Sequence, residues 1–123
     1  MSFNQKTYKT EFDELLTQRR IKQSQDFFKI KLFLQKAENS LLIAQVHKDL
    51  NPKKDQAAKL YWDYWAITIA YYSMLYAAKA GILSKVYEVS DHDAAQIALG
   101  YLLVPDSIKK EDLELLNQAY KIF

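Results

Sequence analysis

The feature that most constrains the fold is an uncharged run, Tyr64–Ala78, inside a longer segment, Asp55–Lys85, that contains no proline. The whole chain of 123 residues has only two prolines and two glycines. Because the tight turns of β proteins depend on these residue types, long helices with few connections are expected. The sequence therefore predicts an all-α fold, an up-and-down bundle of four to five helices in a single domain over residues 1–123.

Placed at about 100° per residue, the long segment is a helix with two apolar faces. One face carries Leu60, Tyr64, Ile67, Tyr71, Met74, Ala78 and Ile82. The opposite face carries Trp62, Trp65, Ile69, Ser73, Tyr76 and Ala80. A helix that is apolar all round needs cover all round, so we expect another subunit to cover the second face. The uncharged run is too short to span a bilayer, which favours the core helix of a soluble protein.

Apolar spacing predicts four further helices, over residues 4–19, 25–48, 91–103 and 110 to the C-terminus. The stripe of the second of these consists of Phe27, Ile30, Leu34, Ala37, Leu41 and Ala44. The stripe of the last consists of Leu113, Leu116, Tyr120 and Phe123. The first has only the narrow stripe of Phe12, Leu15 and Leu16, so residues 1–20 are expected to form a peripheral helix.

Polar residues near the helix starts predict N-caps. Ser24 is expected to cap the second helix, and the pairs Ser2 with Gln5 and Ser90 with Asp93 resemble capping boxes. At the other end, the chain stops at Phe123 without a glycine cap. This predicts either a truncated chain or a last helix that docks tightly against its neighbours.

Charge and composition exclude several functions. The formal net charge of +2 gives no strong electrostatic footprint for nucleic acid, and the absence of cysteine excludes disulfides and thiolate metal sites. The N-terminus has no apolar region typical of a signal peptide, so a cytoplasmic location is expected, with no membrane partner. The motif Asp91-His92-Asp93 is explained better by a helix start than by a metal site, and we predict neither metal nor cofactor.

Three segments resemble the HEPN domain family. Residues 68–80 (TIAYYSMLYAAKA) are similar to the family's central helix, residues 37–44 (AENSLLIA) to its first core helix, and residues 85–92 (KVYEVSDH) to the stretch that ends in a histidine. The resemblance covers roughly residues 27–122. It implies a helical bundle that forms homodimers through the face carrying the functional motif, often a toxin ribonuclease paired with a nucleotidyltransferase antitoxin.

The family's ribonuclease pair, an arginine and a histidine on the central helix, is missing. Ile69 stands at the arginine position and Tyr76 at the histidine position. Isoleucine cannot neutralise a phosphate, and tyrosine titrates near pH 10, which makes it a poor acid–base group at neutral pH. Lys79 matches a basic position of the family but does not restore the pair.

The sequence therefore predicts a non-catalytic HEPN-like module that forms homodimers and binds a partner, either RNA or a protein such as a nucleotidyltransferase. Its candidate binding cleft or dimer face consists of Trp62, Trp65, Ile69, Tyr72, Ser73, Tyr76, Lys79 and His92. Two alternatives stay open. One is an atypical metal-independent ribonuclease that uses His92 with Lys79 and Tyr76. The other is a purely structural subunit of a larger assembly.

Overall fold

The computed structural model describes residues 5–49, 56–104 and 106–121, and the all-α prediction is confirmed. The elements are α1 (Gln5–Thr17), β1 (Ile21–Gln23), α2 (Phe28–Asp49), α3 (Gln56–Leu83), β2 (Tyr87–Val89), α4 (His92–Leu102) and α5 (Lys110–Lys121). Each helix lies within a few residues of its predicted bounds. Periodicity and end signals were enough to place them because every helix has an apolar stripe of its own.

A two-stranded antiparallel ribbon, β1 with β2, was not predicted. Its register pairs Ile21 with Val89 and Gln23 with Tyr87. Strands of three residues are too short to show an alternating pattern, so the sequence carries no signal for them. The ribbon ties the end of α1 to the connection between α3 and α4.

The first helix belongs to the core, and the prediction of a peripheral helix is wrong. Tyr8, Phe12 and Leu15 are all buried, and α1 packs mainly on α4. The stripe that seemed narrow is widened by Tyr8, whose ring lies against Gly100. A large ring packed on a residue without a side chain brings the two helices close together.

The first apolar face of α3 is only half covered. Toward the C-terminal end, Tyr71, Ala78 and Ile82 are buried in the core that α3 shares with α1, α4 and α5. In the preceding turns of the same stripe, Tyr64 and Ile67 are 42% and 41% exposed. The stripe therefore extends beyond the buried core.

Much of the second face of α3 packs on α2 of the same chain, although Trp65 on this face is 56% exposed. Ser73 Oγ donates a hydrogen bond of 2.6 Å to the carbonyl oxygen of Ala37, and Ala37 and Ala44 are buried at this contact. Among the described elements, α2 packs extensively only on α3. The two helices form a helical hairpin, with one helix in the core and the other outside it.

Two of the predicted caps are corrected. The N-cap of α4 is Asp91 and not Ser90, since the Asp91 carboxylate accepts a 2.9 Å hydrogen bond from the backbone N–H of Ala94. Ser24 does not cap α2, which begins four residues later; its hydroxyl accepts from the N–H of Asp26 instead. The capping box predicted at Ser2 and the chain end at Phe123 lie outside the described residues.

By length and composition, one helix among the described residues, Trp62–Leu83, is apolar enough to cross a membrane. Its hydropathy of 1.2 is modest, and 39% of the window is buried inside the fold. Core helices of soluble proteins show the same pattern, and the position of α3 at the centre of the bundle fits a soluble protein.

Candidate functional site

The predicted site residues are distributed over several places around α3. Ile69, Ser73 and Tyr76 lie on the face that contacts α2. The Tyr76 ring stacks with Phe33 of α2 at a centroid distance of 6.4 Å. The Nζ atoms of Lys36 and Lys79 lie 5.4 and 6.0 Å from the centre of the Tyr76 ring. Tyr76 thus sits between two cations at an interhelical contact.

Trp62 belongs to the same contact between α2 and α3, further along the hairpin. Its indole stacks on the His47 ring at 4.0 Å with an interplanar angle of 14°. The indole Nε1 donates to the His47 carbonyl oxygen, and His47 Nε2 lies 3.0 Å from the carbonyl oxygen of Trp62. These reciprocal contacts assign Trp62 a role in joining α2 to α3.

The remaining predicted residues lie apart from this contact. Trp65 and Tyr72 are 56% and 48% exposed. His92, at the start of α4, is buried on the core side of α3, where its Nδ1 lies 2.6 Å from the Tyr71 hydroxyl. The structure therefore brings Ile69, Ser73 and Tyr76 together but separates them from His92.

Burial lowers the pKa of His92, an effect that exceeds the opposing influence of Asp93 and Asp91. In the unfolded chain the pKa of this imidazole is near 6.5. In the folded chain it is lower, so the folded chain takes up the proton only in more acidic solution. The contribution of neutral His92 to stability is therefore fully present above pH 6.5 and is lost as the pH falls below it.

We expect the free energy of unfolding to decrease as the pH is lowered from about 7 to 5, and the His92→Gln variant to show a flatter dependence. Denaturant unfolding at several pH values measures this slope. Asp91 contributes little in this window, because its lowered pKa moves its titration to more acidic solution. An unchanged slope in His92→Gln would contradict the assignment.

The outer face of α2, opposite α3, presents a regular row of exposed side chains. The row consists of Phe28, Leu32, Gln35, Asn39, Leu42 and Val46, and we call it the α2 seam. The steps along it are four, three, four, three and four residues, which is the spacing of the a and d positions of a coiled coil. Its four apolar members are between 49% and 68% exposed.

Sequence reasoning missed the α2 seam, although its spacing is visible in the printed sequence. The predicted stripe of α2 marked the side that contacts α3, where Ala37 and Ala44 are buried, but its members Leu34 and Leu41 stay 45% and 49% exposed. Helix α2 is apolar on more than one side. A second heptad count on the opposite side would have found the seam.

A basic cleft lies between the β ribbon and the end of the hairpin at which α2 begins. Its volume is about 230 Å³. It is lined by Arg19, Arg20, Lys22, Phe33, Lys79, Glu88, Val89 and Ser90. Only Lys79 of this set was among the predicted site residues.

Two carboxylates near the basic cleft are already paired. Asp91 holds Arg20 through two hydrogen bonds of 2.8 Å, and Glu88 accepts a hydrogen bond of 3.0 Å from Lys29. The pair with Arg20 holds the pKa of the Asp91 carboxyl well below its usual range. The same carboxylate caps α4, so Arg20 is fixed to the start of this helix.

The fold and these surfaces define an all-helical protein with an open helical hairpin and a basic cleft at its base. Comparison of the chain with protein-family models, curated protein sequences and solved structures found no match. Within the described ranges, no group of three or more histidine, aspartate or glutamate side chains could hold a metal ion.

Proposed function

We propose that this chain is a non-catalytic, HEPN-like interaction module that forms a homodimer through the α2 seam. The observation that carries the proposal is the exposed row from Phe28 to Val46, whose spacing matches a coiled-coil seam. Soluble monomers rarely expose contiguous apolar surface of this kind without an interaction to cover it. Fully burying one such side chain stabilises an interface by about 1.5–3 kcal/mol.

A second copy of the chain fits the seam because the seam is self-complementary. In an antiparallel pair, Phe28 faces the partner's Val46, and Leu32 faces the partner's Leu42. The two amides, Gln35 and Asn39, face each other at the centre. Every apolar side chain of the seam then faces an apolar side chain, and every amide faces an amide. A two-fold interface uses the same surface on both subunits, so it needs a self-complementary surface of this kind. The two polar layers at the centre also set the register of the pair.

Charge favours the antiparallel orientation. Three lysines, Lys29, Lys31 and Lys36, lie in the first part of α2. A parallel pair would bring both lysine groups to the same end and place Lys31 beside the partner's Lys36, which is unfavourable. An antiparallel pair separates Lys29 and Lys31 from their copies in the partner. Lys36 stays near the two-fold axis, where its ammonium lies over Tyr76 of its own chain. Antiparallel helices also align their dipoles favourably.

The placement of the polar groups supports a non-catalytic role. The alternative ribonuclease would need His92, Tyr76 and Lys79 to act on one substrate. His92 is buried beside Tyr71 on the core side of α3, whereas Tyr76 is packed on Phe33 of α2. A general acid or base must be within hydrogen-bond reach of the proton it transfers, and these two groups lie on different sides of the helix.

Sedimentation equilibrium of the purified chain tests the proposal. We expect a mass of twice 14.4 kDa at micromolar concentration. A mass of one chain at 100 µM or higher would contradict self-association. An RNA degradation assay addresses the alternative: cleavage by the purified protein that is abolished by Tyr76→Phe would overturn the non-catalytic assignment.

A further inference from the structure

The basic cleft contains cations that the fold does not neutralise. Arg20 is paired with Asp91, but among the described residues no carboxylate lies within 4.0 Å of Arg19, Lys22 or Lys79. The nearby Glu88 is held by Lys29. Three positive charges therefore line a concave surface whose available negative charges are already engaged. Such a surface attracts an anion from solution.

The wall of the cleft is not uniformly polar. Phe33 and Val89 line it beside the cations. The Phe33 ring stacks with the Tyr76 ring at an interplanar angle of 20°. An aromatic wall next to a group of cations fits a ligand with an anionic group at one end and a flat apolar ring at the other.

Arg19 occupies a conformation that has an energetic cost. Its φ is +59°, in the left-handed region that normally favours glycine. It closes α1 by hydrogen bonds from its own N–H to the Leu16 carbonyl and from the N–H of Arg20 to the Leu15 carbonyl. A helix end of this kind is usually occupied by glycine. Within the described residues, the arginine side chain at this position makes no ion pair or side-chain hydrogen bond that would explain the choice.

We propose that the basic cleft binds a small phosphorylated ring compound. Arg19, Lys22 and Lys79 would hold the phosphate monoester, and the ring would lie against Phe33. Arginine and lysine at a cleft are the side chains that suit phosphate. A volume of about 230 Å³ accommodates a phosphate with one aromatic ring. This site is separate from the α2 seam and does not depend on dimerisation.

Titration calorimetry with phenyl phosphate and with inorganic phosphate tests the site. We expect phenyl phosphate to bind several-fold more tightly than inorganic phosphate, with affinity that falls as salt is raised. Lys79→Gln should weaken binding at least tenfold. Lys110→Gln, an exposed lysine at the start of α5, serves as the control and should bind as the unmodified chain does.

Arg19→Gly separates a binding role from a structural one. Glycine relieves the left-handed conformation, so the melting temperature should rise by about 3–5 °C while binding of phenyl phosphate falls at least fivefold. Loss of both stability and binding would overturn the assignment. So would absence of phenyl phosphate binding at 10 mM, unchanged affinity in Lys79→Gln, or equal affinity for phenyl and inorganic phosphate.

Discussion

Leu42→Glu is expected to convert the proposed dimer into a folded monomer. Leu42 is 58% exposed in the single chain, so a glutamate there disturbs no core contact. In the antiparallel pair it would place a carboxylate against the partner's Leu32 twice, once for each copy. Losing two buried leucines costs about 4 kcal/mol or more, which raises the dissociation constant about 1,000-fold. Sedimentation equilibrium measures the shift, and far-UV circular dichroism checks that the helices remain.

Leu115→Glu provides the matched control. Leu115 lies on α5 outside the α2 seam and is 56% exposed, nearly the same as Leu42. The substitution introduces the same charge at the same degree of exposure, so it should leave the dimer intact. If both variants dissociated equally, a general effect of charge would replace the seam as the explanation.

Gly100→Ala is expected to destabilise the fold by about 2–3 kcal/mol. A Cβ atom at this position would lie 2.6 Å from Cε2 and 2.8 Å from Cδ2 of the Tyr8 ring. Tyr8 is 1% exposed and cannot move its ring without shifting α1. The overpacking cost exceeds the gain of about 1 kcal/mol that alanine usually brings to a helix interior. Urea unfolding followed by circular dichroism gives the difference.

Gly81→Ala is the comparison within the same protein. A Cβ atom there would lie 3.1 Å from Cδ1 of Leu103, which is the end of a flexible side chain. A small rotation relieves this contact, so the change in the free energy of unfolding should stay within about 1 kcal/mol. Equal destabilisation by the two alanines would show that the Tyr8–Gly100 contact is not the cause.

The helices were predictable because each signal is local. The long apolar segment of α3, the amphipathic stripe of α5 and the breaks between helices can be counted along the chain. Errors of one position arose where neighbouring residues compete, as when Ser90 was preferred to Asp91 as the cap of α4. The two residue types cap equally well, and the structure distinguishes Asp91 by the hydrogen bond that it accepts from the Ala94 N–H and by its pairing with Arg20.

The features that were not predicted depend on contacts between parts of the chain that are distant in sequence. The β ribbon pairs strands on either side of the hairpin, and it brings Arg19 and Lys22 to Lys79 to form the basic cleft. The core role of α1 depends on Tyr8 meeting Gly100. Helix α2 packs on the second face of α3, and its own outer face stays exposed. The proposed dimer surface is therefore the α2 seam and not the face of α3 that carries Ile69 and Tyr76.

Cysteine cross-linking tests the α2 seam most directly, because the chain has no cysteine of its own. Leu32→Cys and Leu42→Cys chains would be prepared separately, mixed and oxidised. Residues that face each other in one layer of the seam lie within the reach of a disulfide. We predict rapid disulfide formation between the two different variants and little within either alone. Linkage of Leu42→Cys chains to each other would indicate a parallel pair, and absence of any linkage in a dimeric protein would contradict the seam.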